Sequence, residues 1–325
     1  RDSSDVSIYP SDEDDCACLL YTSGTTGSPK GVMTSHRSMI NNTMLQLLQG
    51  AAVSMRSTRL GTDWTVNKPT SLLTSPLFHV SGLSAGVVTA LFAGTTTYIY
   101  EGRFDPQNIL RVIDKYKITS WGGAVPTALK RVLDEAPNHN LDYESMLVVG
   151  GGGAPMPETL IARTKQIFKN VEHNFGYGYG LTESGAITVV NWGDDLNNFP
   201  RSPGKPMPTI EVKLIDDDGN EIFDDEVEGE ICVRSPSVML GYYKNQIESK
   251  KSLNKDRFLS TGDYGYRKDD LYFISSRRTD LILRGAENVY PQEIEILLDQ
   301  YDGVAESAVI GVPHDDLGEE VKAIV

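Results

Sequence analysis

Cysteine and cationic side chains are scarce in this sequence, and each scarcity removes a class of function. Three cysteines in 325 residues (Cys16, Cys18 and Cys232) cannot build a disulfide framework, and their spacing matches no zinc motif. A reducing compartment, the cytoplasm, is the expected location. Lys and Arg number 30 against 45 Asp and Glu, a net charge of −15 with the acids spread from end to end. Nucleic acid and anionic membrane surfaces need clustered cations, so neither is an expected partner. A polyanion held here must be held by local donors. No run of eighteen or more apolar residues occurs, so no transmembrane helix is expected. The most apolar stretch, Gly82 to Gly94, is short and rich in small residues. Asn41-Asn42-Thr43 matches a glycosylation sequon, but nothing else points to secretion and the match is read as chance. The sequence opens at Arg1 without a methionine or signal pattern and closes inside the apolar VKAIV, so it is expected to be an excerpt of a longer protein.

What is present is a patterned globular chain. Hydrophobic residues make up 39%, enough for a substantial core and two or three domains. From Cys16 to Phe175, strand-like and helix-like segments alternate. Strands are expected at Cys16–Tyr21, Thr70–Ser75, Thr95–Tyr100, Ile118–Trp121, Met146–Val149 and Val171–Phe175. Ser35 is placed to cap a helix over Met39–Gln49, with Gly50 as its stop. Asp105-Pro106 opens a helix with apolar positions at Ile109, Val112, Ile113 and Tyr116. Pro155 and Pro157 precede a third, Thr159–Phe168. Such alternation predicts parallel sheet covered by helices, with ligands at the carboxyl ends of the strands. After Pro200 the texture becomes β-rich. IEVKLIDDDGNEI reads as a hairpin turning at Asp218-Gly219, and strands follow at Gly229–Arg234 and Leu271–Ser275. A third texture begins near Asp280, with a strand at Leu281–Leu283, a helix at Pro291–Leu298 and a strand at Val304–Val312. The expected division is an α/β domain over 1–202, a β-barrel-like module over 203–276, and the hinge and start of a small α+β domain over 277–325.

Chemistry concentrates in CLLYTSGTTGSPKGV, residues 18–32. An apolar strand runs into a Gly/Ser/Thr loop closed by Lys30. Freed backbone N–H groups, the hydroxyls of Thr22, Ser23, Thr25 and Thr26, and the Lys30 charge are all donors suited to phosphate. The Walker loop does not fit, because Pro29 precedes Lys30 and Gly31 follows it; no GxGxxG occurs either. Gly82-Leu83-Ser84-Ala85-Gly86 fits the GxSxG elbow of serine hydrolases, which would make Ser84 a nucleophile. Pro76 and Gly82 crowd the strand that elbow needs, and no HGGG-like loop precedes it.

YTSGTTGSPKG resembles the phosphate loop of the adenylate-forming superfamily of acyl-CoA synthetases, aryl-CoA ligases, luciferases and peptide-synthetase adenylation domains. Four further stretches resemble that family's motifs in its order: GGGAP (151–155), GYGLTES (178–184), STGD (260–263) and RRTDLILRGAENVYPQEIE (277–295). The resemblance implies an acid–thiol ligase using ATP, Mg2+ and coenzyme A, closest to fatty-acid and aryl acyl-CoA synthetases. It implies that Thr22, Ser23, Gly24, Thr25, Thr26, Gly27 and Lys30 cradle the β- and γ-phosphates. Gly152, Gly153 and Ala154 border adenine in this reading. Within GYGLTES, Gly178 and Gly180 border the nucleotide on either side of Tyr179, which stacks on adenine, while Thr182 touches the α-phosphate and Glu183 holds magnesium. Asp263 takes the ribose hydroxyls, and Arg277 the ribose or α-phosphate. PLFHVSGL and WGGAVPT imply an acyl pocket at His79, Val80, Trp121, Gly122 and Gly123. The family's hinge position, usually Asp or Lys, holds Thr279 here, and its C-terminal lysine has no counterpart in this chain. A carrier-protein acceptor in place of coenzyme A stays open.

Overall fold

In a computed structural model of the chain, residues 10–22, 29–60, 69–154, 156–277, 280, 282–284, 287–301, 303–314 and 318–325 are described. The centre is a seven-stranded sheet. Its strands run in the order Thr96–Ile99, Thr70–Leu73, Ser120–Ala124, Val148–Gly152, Phe175–Tyr179, Val189–Trp192, Lys205–Pro206. The first five are parallel, the sixth pairs antiparallel with the fifth, and the seventh pairs antiparallel with the sixth. Registry lines up one row of large side chains: Tyr98, Leu72, Trp121, Val149 and Phe175 sit side by side across five strands. Because successive residues of a strand face opposite ways, that row defines one face of the sheet.

Three helices cover this face: Pro106–Tyr116, Pro126–Glu135 and Glu158–Ile167. Asp105 caps the first, accepting from the Gln107 N–H at 3.1 Å, and Pro106 supplies its fixed φ at the first turn. Ile109, Leu110, Ile113, Leu129, Val132 and Leu133 lose all solvent contact against the sheet. Each such side chain stabilises the fold by about 1.5–3 kcal/mol through burial. On the opposite face lie the helix His36–Arg59 and a π-helical turn, Ser81–Val88, that continues into Thr89–Ala93 and ends at Gly94 in the left-handed region.

Several boundaries differ from the sequence expectation. Ser35 does cap the first long helix, accepting from Ser38 N–H at 3.1 Å, but Gly50 does not end it. The helix runs on to Arg59, and Gly50 sits inside it with nothing within 4 Å of a Cβ, a cost of about 1 kcal/mol that the flanking turns absorb. The expected strands Met146–Val149 and Val171–Phe175 are displaced toward their glycines, to Val148–Gly152 and Phe175–Tyr179, while Lys169–Val171 forms a short 3-10 turn. Val304–Val312 begins only at Ala308.

The second half is antiparallel. Strands Glu221–Ile222, Glu211–Ile215, Gly229–Arg234, Leu259–Lys268 and Leu271–Arg277 form one sheet in that order. The hairpin is as expected: Asp216 Oδ1 accepts from the N–H groups of Asp218 and Asn220, and Gly219 takes a φ of +86°. The barrel-like expectation is corrected, because among the described residues this sheet is open. One edge strand is two residues long, and the other meets the segment that leads into strand Lys205–Pro206 of the central sheet. There Tyr272 N–H donates to the Gly204 carbonyl and Ser202 Oγ to the Tyr272 carbonyl. Cys16–Thr22, Lys30–Ser35 and Gly241–Tyr242 form a separate three-stranded sheet, tying residues near 241 to the start of the chain. A four-stranded antiparallel sheet with the helix Pro291–Leu298 closes the chain. No helix among the described residues is long and apolar enough to cross a membrane.

Candidate active site

The cavity face of the central sheet carries mostly small residues, with Val148 and Trp192 among its larger ones. Alternation brings Ser71, Ser120, Gly122, Gly150 and Gly176 to the side opposite Trp121, and a cavity of about 1210 Å³ opens over them. It reaches from the Lys30 strand at one end to His79 and Val80 at the other.

At the first end, Cys16–Thr22 and Lys30–Ser35 pair antiparallel with Thr22 opposite Lys30. Both ends of the intervening loop are therefore fixed at neighbouring points of one sheet. Thr22 and Lys30 line the cavity; Ser23, Gly24, Thr25, Thr26 and Gly27 lie outside the described residues. Lys30 Nζ is 2.7 Å from Glu248 Oε2 and 5.1 Å from the centre of the Tyr242 ring. The neighbouring Lys30 and Lys251 ammonium groups pull the Glu248 carboxyl down to about 2, so it is charged at any working pH.

Facing Lys30 is a tight turn at the end of strand Phe175–Tyr179. Ser184 Oγ accepts from Leu181 N–H at 2.9 Å, and the Glu183 carbonyl accepts from Met239 N–H at 2.9 Å. Gly180 is needed here because a Cβ would lie 2.0 Å from the Ala186 carbonyl oxygen. Thr182 and Glu183 are thereby held in the cavity wall. Tyr242 Oη donates to Glu183 Oε1 at 3.0 Å; burial, then the Glu183 charge, push that phenol far up, so it stays a donor. Among the described residues no cluster of three or more His, Cys, Asp or Glu side chains suits a metal. Magnesium bound together with phosphates needs only one or two protein carboxylates, and Glu183 fits that requirement.

Between these ends lies Asp263, in strand Leu259–Lys268, with only 4% of its surface exposed. Tyr179 Oη donates to its Oδ2 at 2.6 Å, a short charge-assisted bond. Gly152, Gly153, Gly178 and Gly180 line the cavity next to it. Ala154 and Tyr179 face an adjoining recess of about 720 Å³ that Asp263 also borders. The backbone of Arg277 pairs with Asp263, but its side chain, like Thr279, lies outside the described residues.

At the far end, His79 is exposed to the cavity, its Nδ1 2.8 Å from Ser81 Oγ, and Val80, Gly122 and Gly123 line the wall beside it. Trp121 is not in that wall. It is 0% exposed, and its indole Nε1 donates to Thr74 Oγ1 at 3.0 Å within the helix-covered core. Strand alternation sends it to the face opposite Gly122. Ser84 is no nucleophile either: it is buried in the π-helical turn, with Asn42 Nδ2 donating to its Oγ at 2.7 Å. An elbow serine needs an exposed hydroxyl on a strand-to-helix turn, and this one is interior to a helix.

Sequence reading missed Tyr242, Glu248 and Lys251, all in the cavity wall. Nothing in the local pattern GYYKNQIESKK marks them; only the pairing of Gly241–Tyr242 with Lys30–Ser35 brings them in.

Comparison with known proteins supplies the family. Residues 2–243 match the family model described as AMP-binding enzyme. A long-chain-fatty-acid–CoA ligase of Bacillus subtilis is 34% identical over 317 residues, covering 96% of this chain and 53% of that protein. A 4-coumarate–CoA ligase of Pinus taeda is 31% identical over 324 residues, covering 98% and 57%. Among solved structures, o-succinylbenzoate CoA synthetase of Bacillus subtilis in complex with ATP and magnesium superposes with a TM-score of 0.81 at 29% identity, covering 99% of this chain and 62% of that one. The chain belongs to the AMP-binding enzyme family. It spans about half the length of the curated relatives it matches.

Proposed function

We propose that this chain carries the nucleotide and acid sites of an ATP-dependent acid–thiol ligase acting on a fatty or aryl carboxylic acid. The observation that carries the proposal is convergence: Lys30, the adjacent pair Thr182 and Glu183, and Asp263, from three separate segments, border one cavity that His79, Val80 and small residues line at its other end. In this reading the acid lies over the glycine face near His79 and Val80 with its carboxylate toward Thr182. The carboxylate attacks the α-phosphorus, pyrophosphate leaves, and a thiol then takes the acyl group from AMP. Lys30 neutralises charge on the departing phosphates, where an ammonium in a partly dry site acts more strongly than in water. Asp263, already oriented by Tyr179, accepts the ribose hydroxyls. Glu183 would hold magnesium, which supplies positive charge at the phosphates. The names of the relatives favour coenzyme A as the thiol, and the three unpaired cysteines favour the cytoplasm.

The test is pyrophosphate exchange on the complete protein with a panel of fatty and aryl acids. Acid-dependent exchange is expected. Absence of exchange with every acid, or turnover of p-nitrophenyl esters without ATP, would refute the assignment. Coenzyme A against a phosphopantetheine carrier, offered to the charged enzyme, separates the two acceptors.

A further inference from the structure

Lys30 already has an anion. Glu248 Oε2 lies 2.7 Å from its Nζ, with the two side chains only 13% and 23% exposed, inside the wall of the cavity read above as the triphosphate site. The carboxylate is anchored rather than incidental. Asn245 caps the short helix Gln246–Ser252 and accepts from Glu248 N–H at 3.2 Å. Ser249 Oγ accepts from Tyr242 N–H at 2.8 Å and donates to the Asn245 carbonyl at 2.7 Å, fastening the helix to Gly241–Tyr242. Those residues pair with Val32 and Met33 on the strand that Lys30 itself begins. The lysine therefore starts one strand of the small sheet, and its carboxylate partner stands on the helix fastened to the adjoining strand.

A second cation completes the arrangement. Lys251 Nζ is 2.9 Å from the other carboxylate oxygen, Glu248 Oε1, one turn along the helix. When Lys30 swings to a phosphate, Glu248 keeps a partner and is not left as an isolated charge, so the exchange of partners is cheap. We propose that Glu248 is a built-in competitor for the polyphosphate, a tethered carboxylate that holds Lys30 between turnovers and reclaims it as pyrophosphate departs. The inference rests on reading the cavity as a triphosphate site. Phosphate wins the lysine because it brings more negative charge and, as ATP, the separate anchorage of the nucleoside at Asp263. Pyrophosphate lacks that anchorage, so Glu248 opposes it more effectively and favours its release.

The experiment is calorimetric titration of magnesium pyrophosphate and MgATP into the complete protein, as wild type, Glu248→Gln, Lys30→Met and the double variant. Glu248→Gln should bind pyrophosphate roughly three- to tenfold more tightly, the scale of removing one like charge a few ångströms away in a partly screened site. The gain should largely vanish in the Lys30→Met background. Glu248→Ala, checked for folding by circular dichroism, should move the same way. Unchanged or weaker binding by Glu248→Gln would show that the carboxylate orders Lys30 instead of competing for it. An equal gain without Lys30 would reduce the effect to the general field of an acidic protein; both outcomes overturn the proposal. A wild type that binds neither pyrophosphate nor MgATP would refute the triphosphate reading itself.

Discussion

Replacing Trp121 by Phe and Gly122 by Leu, one at a time, separates the two faces of one strand. The Trp121 ring is fully buried among the helices and bonded to Thr74, so Phe loses packing and a hydrogen bond but touches nothing in the cavity. Losing roughly 50 Å² of buried apolar area costs about 1–1.5 kcal/mol. The missing hydrogen bond adds about 1 kcal/mol. A total of about 2–3 kcal/mol corresponds to a fall in Tm of roughly 3–4.5 °C for a chain of this size. Acid preference should not move. Gly122 is the reverse case: a Cβ there meets nothing within 4 Å, and it points into the cavity. An isobutyl group would fill the space of about four methylenes; at about 0.8 kcal/mol per buried methylene, long acids should lose on the order of 100-fold in kcat/KM against short ones. Stability should change little. Gly123 is unsuitable for this test because its φ of +68° would strain any side chain. The assay is pyrophosphate exchange over a series of straight-chain acids, with thermal unfolding measured in parallel. An altered chain-length profile in Trp121→Phe, or an unaltered one in folded, active Gly122→Leu, would refute the placement of the acid over the glycine face.

Glu183→Gln removes one charge and keeps shape, so pyrophosphate exchange at limiting Mg2+ should fall by at least tenfold while the circular dichroism spectrum is retained; near wild-type exchange would remove Glu183 from the metal. Asp263→Ala should weaken ATP binding by tenfold or more, since each bond to a charged acceptor is worth about 1.5–3 kcal/mol. The loss should shrink for 2′,3′-dideoxy-ATP, and equal losses with both nucleotides would make Asp263 structural. Stability should depend on pH in one direction. The Asp194 carboxyl is held low by its hydrogen bond from His173 and by Arg56, and Glu248 is held at about 2 by Lys30 and Lys251. Folded values below unfolded ones mean that the unfolded chain takes up protons first as pH falls. The stabilisation is thus complete above about pH 5 and is lost progressively below it, for Glu248 down to about pH 2. Urea midpoints between pH 3 and 8 measure it, and a midpoint that rises on acidification would contradict these pairs.

Local signals were legible where one residue dictates one backbone state. Asp105 before Pro106, Ser35 as a helix cap and the turn at Asp218-Gly219 are all read directly from side-chain chemistry, and the structure has each of them. Parallel order followed from the alternation of strands and helices. The strand ends at Gly150–Gly152 and Gly176–Gly178 were not legible, because glycine in isolation signals a loop. Their strand state is imposed by neighbours: Val149 and Phe175 lock into the hydrophobic row and carry the glycines along in register. Trp121 was misassigned for a related reason. Its motif contains both pocket and core residues, and only the phase of the strand separates them. Tyr242 and Glu248 were invisible because their partners are distant in the chain; Lys30 and Glu248 are 218 residues apart.

The same glycines explain how one sheet can be both core and container. A central parallel strand is usually apolar on both faces, because helices cover both. Here Leu72, Trp121, Val149 and Phe175 keep one face full, and Ser71, Ser120, Gly150 and Gly176 leave the other hollow. Glycine weakens a strand by about 0.5–1 kcal/mol per position relative to alanine. Part of that is recovered through Trp192, which stands opposite Gly176 in the antiparallel pair and lays its indole where a Cβ would be, 2.5 Å from that point. Filling Gly176 would therefore not merely narrow the cavity. It would drive the indole off the sheet, taking with it the wall that Trp192 contributes. The cavity is made by deleted side chains on a rigid sheet rather than by a loop folded over a surface. Its floor belongs to the same sheet as the core beneath it, and Gly122, where a Cβ meets nothing within 4 Å, is the position at which a single addition should change specificity without disturbing the packed row.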